Sequence, residues 1–164
     1  MTVVQGDEEE IRYQVPAQLL WTASKVFRAS IGPRSNYDAA VQLRKTGCGK
    51  IVVDDDAEDM GLVLRLICYR FETLPKAIDL QTLHGIALIA DKYGMEGALA
   101  RGWVSDWSKA LLIEATDLTL HQLLFVAWVF RYEDMFQTIT RKITLSATTT
   151  LEQIVGVPEV VIGT

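Results

Sequence analysis

Apolar and polar residues alternate at the start of the chain and then recur every three or four positions over most of the remainder. Ile11-Arg12-Tyr13-Gln14-Val15 has period two, the pattern of a half-buried strand. Thr2-Val3-Val4-Gln5 precedes it, and the polar run Gly6-Asp7-Glu8-Glu9-Glu10 lies between, so the opening residues predict a hairpin. Pro16 ends the second strand and suits the first turn of a helix, where its missing N–H is not needed. Leu19, Leu20, Ala23, Val26, Phe27 and Ile31 then follow at helical spacing. A break at Ser24-Lys25 would divide them into two short helices, with Val26 and Phe27 on the core face.

Gly32-Pro33 stops the helical pattern, and residues 33–49 read as a polar, glycine-containing loop. Lys50-Ile51-Val52-Val53 is a strand closed by Asp54-Asp55-Asp56. Asp56 and Asp59 have capping-box spacing for a helix that carries Met60, Val63, Leu64, Ile67 and Phe71 on one face and ends by Pro75. Asp79 is the N-cap of the next helix, with Leu80, Leu83, Ile86, Ala87, Ala90 and Tyr93 inward and Gly94 as its left-handed end. A helix over about Glu96 to Leu112 would bury Leu99, Val104, Trp107 and Leu111. Thr119 and Gln122 form a second capping-box pattern, flanked by Leu118 and Leu123 at staple positions. It opens an apolar helix over 119–131 with Phe125, Trp128 and Val129. Trp107 and Trp128 are expected in the core. A last helix begins at Asp134 with Met135, Phe136, Ile139 and Ile143, and the tail from Ser146 is threonine-rich and weakly patterned. Few strands early and helices later predict an α+β domain, a small sheet of short strands packed with a cluster of helices.

Composition narrows the function. The chain has 164 residues, 49% of them hydrophobic, enough for one packed core. Its net charge of −5 and scattered Lys and Arg lack the basic stripe that duplex binding needs, so no direct nucleic-acid partner is expected. Cys48 lies between two glycines, and Cys68 falls inside an apolar helical pattern. Two such cysteines form no disulfide framework and fit a reducing compartment. There is no secretory signal pattern, and the longest apolar run, Leu123 to Phe130, is far below the roughly 20 residues of a membrane span. The expected location is cytoplasmic or nuclear, with no membrane partner.

Three blocks carry a family resemblance. Ala23-Ser24-Lys25-Val26-Phe27-Arg28-Ala29 resembles the A-S-P-V-F-R-A signature of BTB/POZ domains, with Lys25 where the family has proline. Ile51-Val52-Val53-Asp54-Asp55-Asp56, followed by an apolar helix ending in Cys68-Tyr69-Arg70-Phe71, resembles that family's third strand and third helix. Ile89-Ala90-Asp91-Lys92-Tyr93-Gly94-Met95 matches the A-D-K-Y segment of its fourth helix. The blocks stand in family order. The likeness covers residues 2 to 110, and the segment beyond is similar to a fungal-type subgroup with extra C-terminal helices. The resemblance implies a BTB/POZ domain over 1–110, a helical extension over 111–147 and a tail over 148–164. It also implies a protein-interaction module that self-associates, with a homodimer as the default, or scaffolds other proteins. A further implied role is a substrate adaptor of a cullin-type ubiquitin ligase. Its nearest hook is Tyr37-Asp38-Ala39, where Ala39 takes a slot that is acidic in cullin-binding members. Candidate partner contacts are Trp21, at a position where the family often has a small residue, and Tyr37 with Asp38.

No enzymatic constellation is present. Asp54, Asp55 and Asp56 lack the further ligands and glycine of a calcium loop and read as strand-end and cap residues. Ser24 has no G-x-S-x-G context. Gly47 and Gly49 around Cys48 lack the length of a phosphate loop. His84 and His121 are too few for structural zinc. No catalytic residue, cofactor or metal is expected.

Overall fold

The computed structural model describes the backbone of residues 2–5 and 11–155 and the side chains of residues 11–146. The predicted hairpin turn at 6–10 and the end of the tail at 156–164 lie outside the described residues. Pro16 stands between the second strand and the first helical stretch, and Ser24 divides that stretch as expected. α1 spans Ala17–Ala23 and α2 Lys25–Ile31. Ser24, with extended backbone, closes α1 and caps α2 by accepting the Phe27 N–H at 3.0 Å. With only 7 residues, α2 buries a narrow edge, Phe27 and Ile31 four positions apart. Val26 is therefore 41% exposed and not in the core.

The predicted loop over 33–49 holds a helix, α3 (Asp38–Thr46). Its apolar stripe is one narrow strip of few and mostly small residues, with Ala40 buried and Ala39, Val41 and Leu43 partly covered, so the segment reads as polar despite its helical period. Gly47 ends it at φ 74. β1 (Thr2–Gln5) then runs antiparallel to β2 (Arg12–Gln14) and parallel to β3 (Lys50–Val53). β2 and β3 are not neighbours. These strands are three or four residues long, and the chain is mostly helical.

α4 (Ala57–Ile67) starts where Asp56 accepts the N–H groups of Glu58 and Asp59, each at 3.0 Å. The reciprocal half of the expected capping box is replaced: the Asp59 carboxylate lies against Gly85, where an added Cβ would stand 1.8 Å from its Oδ2. α4 ends early because Tyr69 adopts φ 58. A short 3₁₀ turn, Phe71–Thr73, follows, so helical spacing no longer governs Phe71, which is 43% exposed.

α5 (Leu80–Tyr93) is the axis of the molecule. Asp79 caps it through the Thr82 N–H at 2.7 Å, and Gly94 ends it at φ 61, as predicted. Leu83, Ile86, Ala87 and Ala90 are wholly enclosed. α5 packs against α2 and α4 and against three later helices, α6 (Glu96–Leu99), α7 (Trp103–Ile113) and α8 (Leu120–Phe130). The single helix expected over Glu96 to Leu112 is two, because Gly102 at φ 70 breaks it. Leu99, Val104 and Trp107 are buried as expected, while Leu111 is only partly so. α7 runs through the expected boundary at 110. α8 and α9 (Glu133–Val155) join the same core through Leu123, Val126 and Ile139, and α9 continues past 147.

Two further expectations fail at α8. Thr119 has helical, not extended, backbone, and its hydroxyl donates to the Thr116 carbonyl at 2.9 Å and accepts the Thr116 N–H at 3.0 Å. It does not cap the helix, and Leu118 is 85% exposed instead of stapled. Because α8 is apolar all round, its periodicity does not single out a buried face, and Trp128 turns out to be 58% exposed. The two faces of this pair of helices separate energetically. Leu83→Ala is expected to lower the unfolding free energy by about 3 kcal/mol through transfer and cavity terms, whereas Trp128→Ala changes it by less than about 1 kcal/mol. Urea titration followed by circular dichroism measures both.

Candidate functional site

The three sequence blocks meet at the end of α5. The Ser24 hydroxyl donates to the Tyr93 carbonyl at 2.5 Å, and the Phe27 ring stacks on the Tyr93 ring with centroids 4.8 Å apart. The Tyr93 hydroxyl donates to Asp55 Oδ2 at 2.5 Å, and Lys92 Nζ donates to Asp54 at 2.6 Å and Asp55 at 2.9 Å. Beneath the turn, Gly94 leaves only 3.4 Å between a would-be Cβ and Lys25 Cβ. Burial, reinforced by the bond to Asp55, pushes the Tyr93 phenol well above its ordinary range. Partial burial acts against the Lys92 ammonium, but the two aspartates outweigh it and raise its pKa. The hydrogen bond from Lys92 holds Asp54 below the usual carboxylate range.

Each polar group of this junction has a partner of its own. The phenol is held protonated, and the carboxylates face an ammonium. The arrangement positions helices and presents no nucleophile. Elsewhere, Asp59 is pushed up to about 6, first by burial and then by the neighbouring charges of Asp56, Asp79 and Glu58. It faces Gly85 and not a cleft. His84 lies 5.1 Å from the Phe125 ring, and His121 is exposed. Among the described residues no group of three His, Cys, Asp or Glu side chains is placed to hold a metal. Cys48 is exposed, and burial raises the half-buried Cys68 thiol.

The sequence-predicted contact residues occupy two places. Trp21 is partly covered on α1, and its carbonyl accepts from Arg28 Nε at 2.9 Å. Tyr37, 69% exposed, precedes the first turn of α3, where Asp38 is also exposed. α2 packs against both α1 and α3, and no hydrogen bond or ring contact joins Trp21 to Tyr37 or Asp38 among the described residues. Sequence reasoning missed a groove of about 1090 Å³ bounded by α1, α2, the ends of α4 and α8, and the start of α7. Its residues come from segments between Leu19 and Tyr132, and no local pattern joins them. No protein-family model matches the chain, and no curated protein matches it.

Two predictions follow the electrostatics. Tyr93→Phe should lower stability by about 2 kcal/mol, since a buried charge-assisted hydrogen bond is lost while the stacking ring stays. Chemical denaturation of the variant checks this. Asp59 has a folded pKa above its unfolded one, so its contribution is fully present below about pH 4 and is lost as pH rises through about 6. Asp59→Asn should therefore melt higher than wild type at pH 7, by at most about 1 kcal/mol given its partial exposure. The difference should vanish at acid pH, and thermal melts at both ends of that window measure it.

Proposed function

We propose that this chain is a non-catalytic protein-interaction module of the BTB/POZ type, acting in the cytoplasm or nucleus by self-association or by scaffolding other proteins. The observation that carries the reading is the junction at Tyr93. The residues that resemble the family's signature segments, Ser24 with Phe27, Asp55, and Lys92 with Tyr93, are the ones that bond to one another. Independent short matches would have no reason to converge in space. The small sheet and helical cluster of that fold accommodate the short strands and the helices around α5.

Self-association would use the first strand and first helices, an isologous patch related by a two-fold axis. Val26, 41% exposed on α2, offers apolar surface beside α1, and Trp21 on α1 would be the aromatic anchor of such a patch. The alternative, a substrate adaptor of a cullin-type ubiquitin ligase, draws support from the joint exposure of Tyr37 and Asp38. Ala39, partly covered in the first turn of α3, supplies no carboxylate to it.

Light scattering on the size-exclusion peak tests the first reading. Wild type should run at twice the 18.3 kDa chain mass, and Trp21→Ala should shift the population towards one chain. A wild type that stays monomeric throughout a concentration series rejects self-association. A cullin scaffold retained by the wild-type chain but lost with Tyr37→Ala would support the adaptor role instead.

A further inference from the structure

We propose that the groove between α1, α2 and the ends of α4 and α8 is the docking site for an acidic segment of a partner polypeptide that also carries apolar side chains. The proposal deepens the protein-interaction reading and rests on it. Charge complementarity is the first argument. The chain carries −5 overall, yet the groove is lined by four cations, Lys25, Arg28, Arg101 and Arg131, against one carboxylate, Glu96. Lys25 is paired with Glu96 at 3.4 Å, and Arg28 is tied to the carbonyls of Trp21 and Thr22 at 2.9 and 3.3 Å. Arg101 and Arg131 make no side-chain hydrogen bond or ion pair among the described residues. The helix dipole accounts for a cation at the C-terminus of α8, where Arg131 stands, whereas Arg101 lies between the end of the four-residue α6 and the start of the longer α7, whose N-terminus disfavours a cation.

Backbone strain is the second argument. Among the described residues, four helices are closed by a residue in left-handed conformation at or just past their ends, and at α3 and α5 that residue is glycine. At α4 and α8 it is Tyr69 at φ 58 and Arg131 at φ 57. A bulky side chain in that conformation is less favourable than glycine. Both strained positions line this groove, and the Tyr69 ring, 70% exposed, contributes little to the core in exchange. Tyr69 meets Phe71 edge-on with centroids 5.8 Å apart, giving the cationic wall an apolar floor together with Trp103.

The third observation separates a polypeptide from other anions. About 1090 Å³ is far more space than an inorganic anion fills, and four cations fall short of the stripe that tracks a nucleic-acid backbone.

The test titrates a fluorescein-labelled peptide of alternating Glu, Phe and Asp, Leu residues into the full chain and follows anisotropy. Micromolar binding is expected, at least about fivefold weaker when salt is raised past physiological strength. Arg101→Glu and Arg131→Asn, the latter tolerant of the left-handed backbone, should each weaken it about tenfold. Tyr69→Gly is the decisive variant: it should melt at or above the wild-type temperature while binding at least about fivefold less tightly, a split that a purely structural tyrosine would not give. Equal binding of a lysine-for-carboxylate peptide, tighter binding of oligo-dT, unchanged affinity in the arginine variants, or no binding at all overturns the proposal. A chain that dimerises in light scattering but ignores the peptide loses this site alone. A monomeric chain that binds the peptide keeps the site and loses the self-association.

Discussion

The hydrogen bond between the Tyr93 hydroxyl and Asp55 fixes where the central helix ends, and the rest of the molecule is built around that end. α5 touches five of the other helices, so any error in its position would be passed to each of them. Tyr93 is held from three sides: its ring by Phe27, its carbonyl by Ser24 and its hydroxyl by Asp55. Ser24 serves two helices at once, since the same oxygen that donates to Tyr93 accepts the Phe27 N–H that starts α2. Removing it would leave a buried carbonyl and a helix N–H unsatisfied together, and the two losses would not be independent.

Capping rules made much of this legible in the sequence. Asp56, Asp79 and Gly94 do what their positions predict, because each effect is local: a carboxylate within reach of an N–H, or a residue that tolerates positive φ. The face of α5 was equally readable, since a half-buried helix must show its period. The failures have the same cause in reverse. α8 is apolar on every side, so tertiary neighbours alone decided that Val126 and Ala127 go in and Trp128 stays out. α3 is mostly polar, so its helical period was hidden by low apolar content and not by its absence. Thr119 satisfied the spacing of a capping box but found a nearer partner in Thr116.

The groove was illegible for a different reason. Its cations come from α2, the α6–α7 turn and the end of α8, and each is unremarkable in its own stretch of sequence. Left-handed backbone at Tyr69 and Arg131 has no one-residue signature, because sequence alone gives no reason to expect anything but glycine there. Of the predicted contact residues, Tyr37 and Asp38 are exposed side by side, while Trp21 is partly covered on a separate helix. Aromatic bulk suggested Trp21 and the family resemblance suggested Tyr37 with Asp38, but only exposure distinguishes a contact residue from a core one.

These two kinds of residue bear on function unequally. Ser24, Phe27, Asp55 and Tyr93 are committed to one another at the end of α5, and such residues fix shape without choosing a partner. On the interaction reading proposed above, a partner would be selected by side chains that the fold does not need. Tyr69 and Arg131 meet that description most sharply, since at both positions glycine would serve the helix end better. A side chain kept where the backbone would be more stable without it argues for a use outside the fold. Two such residues on the wall of one cationic groove place that use on the face opposite in charge to the rest of the protein.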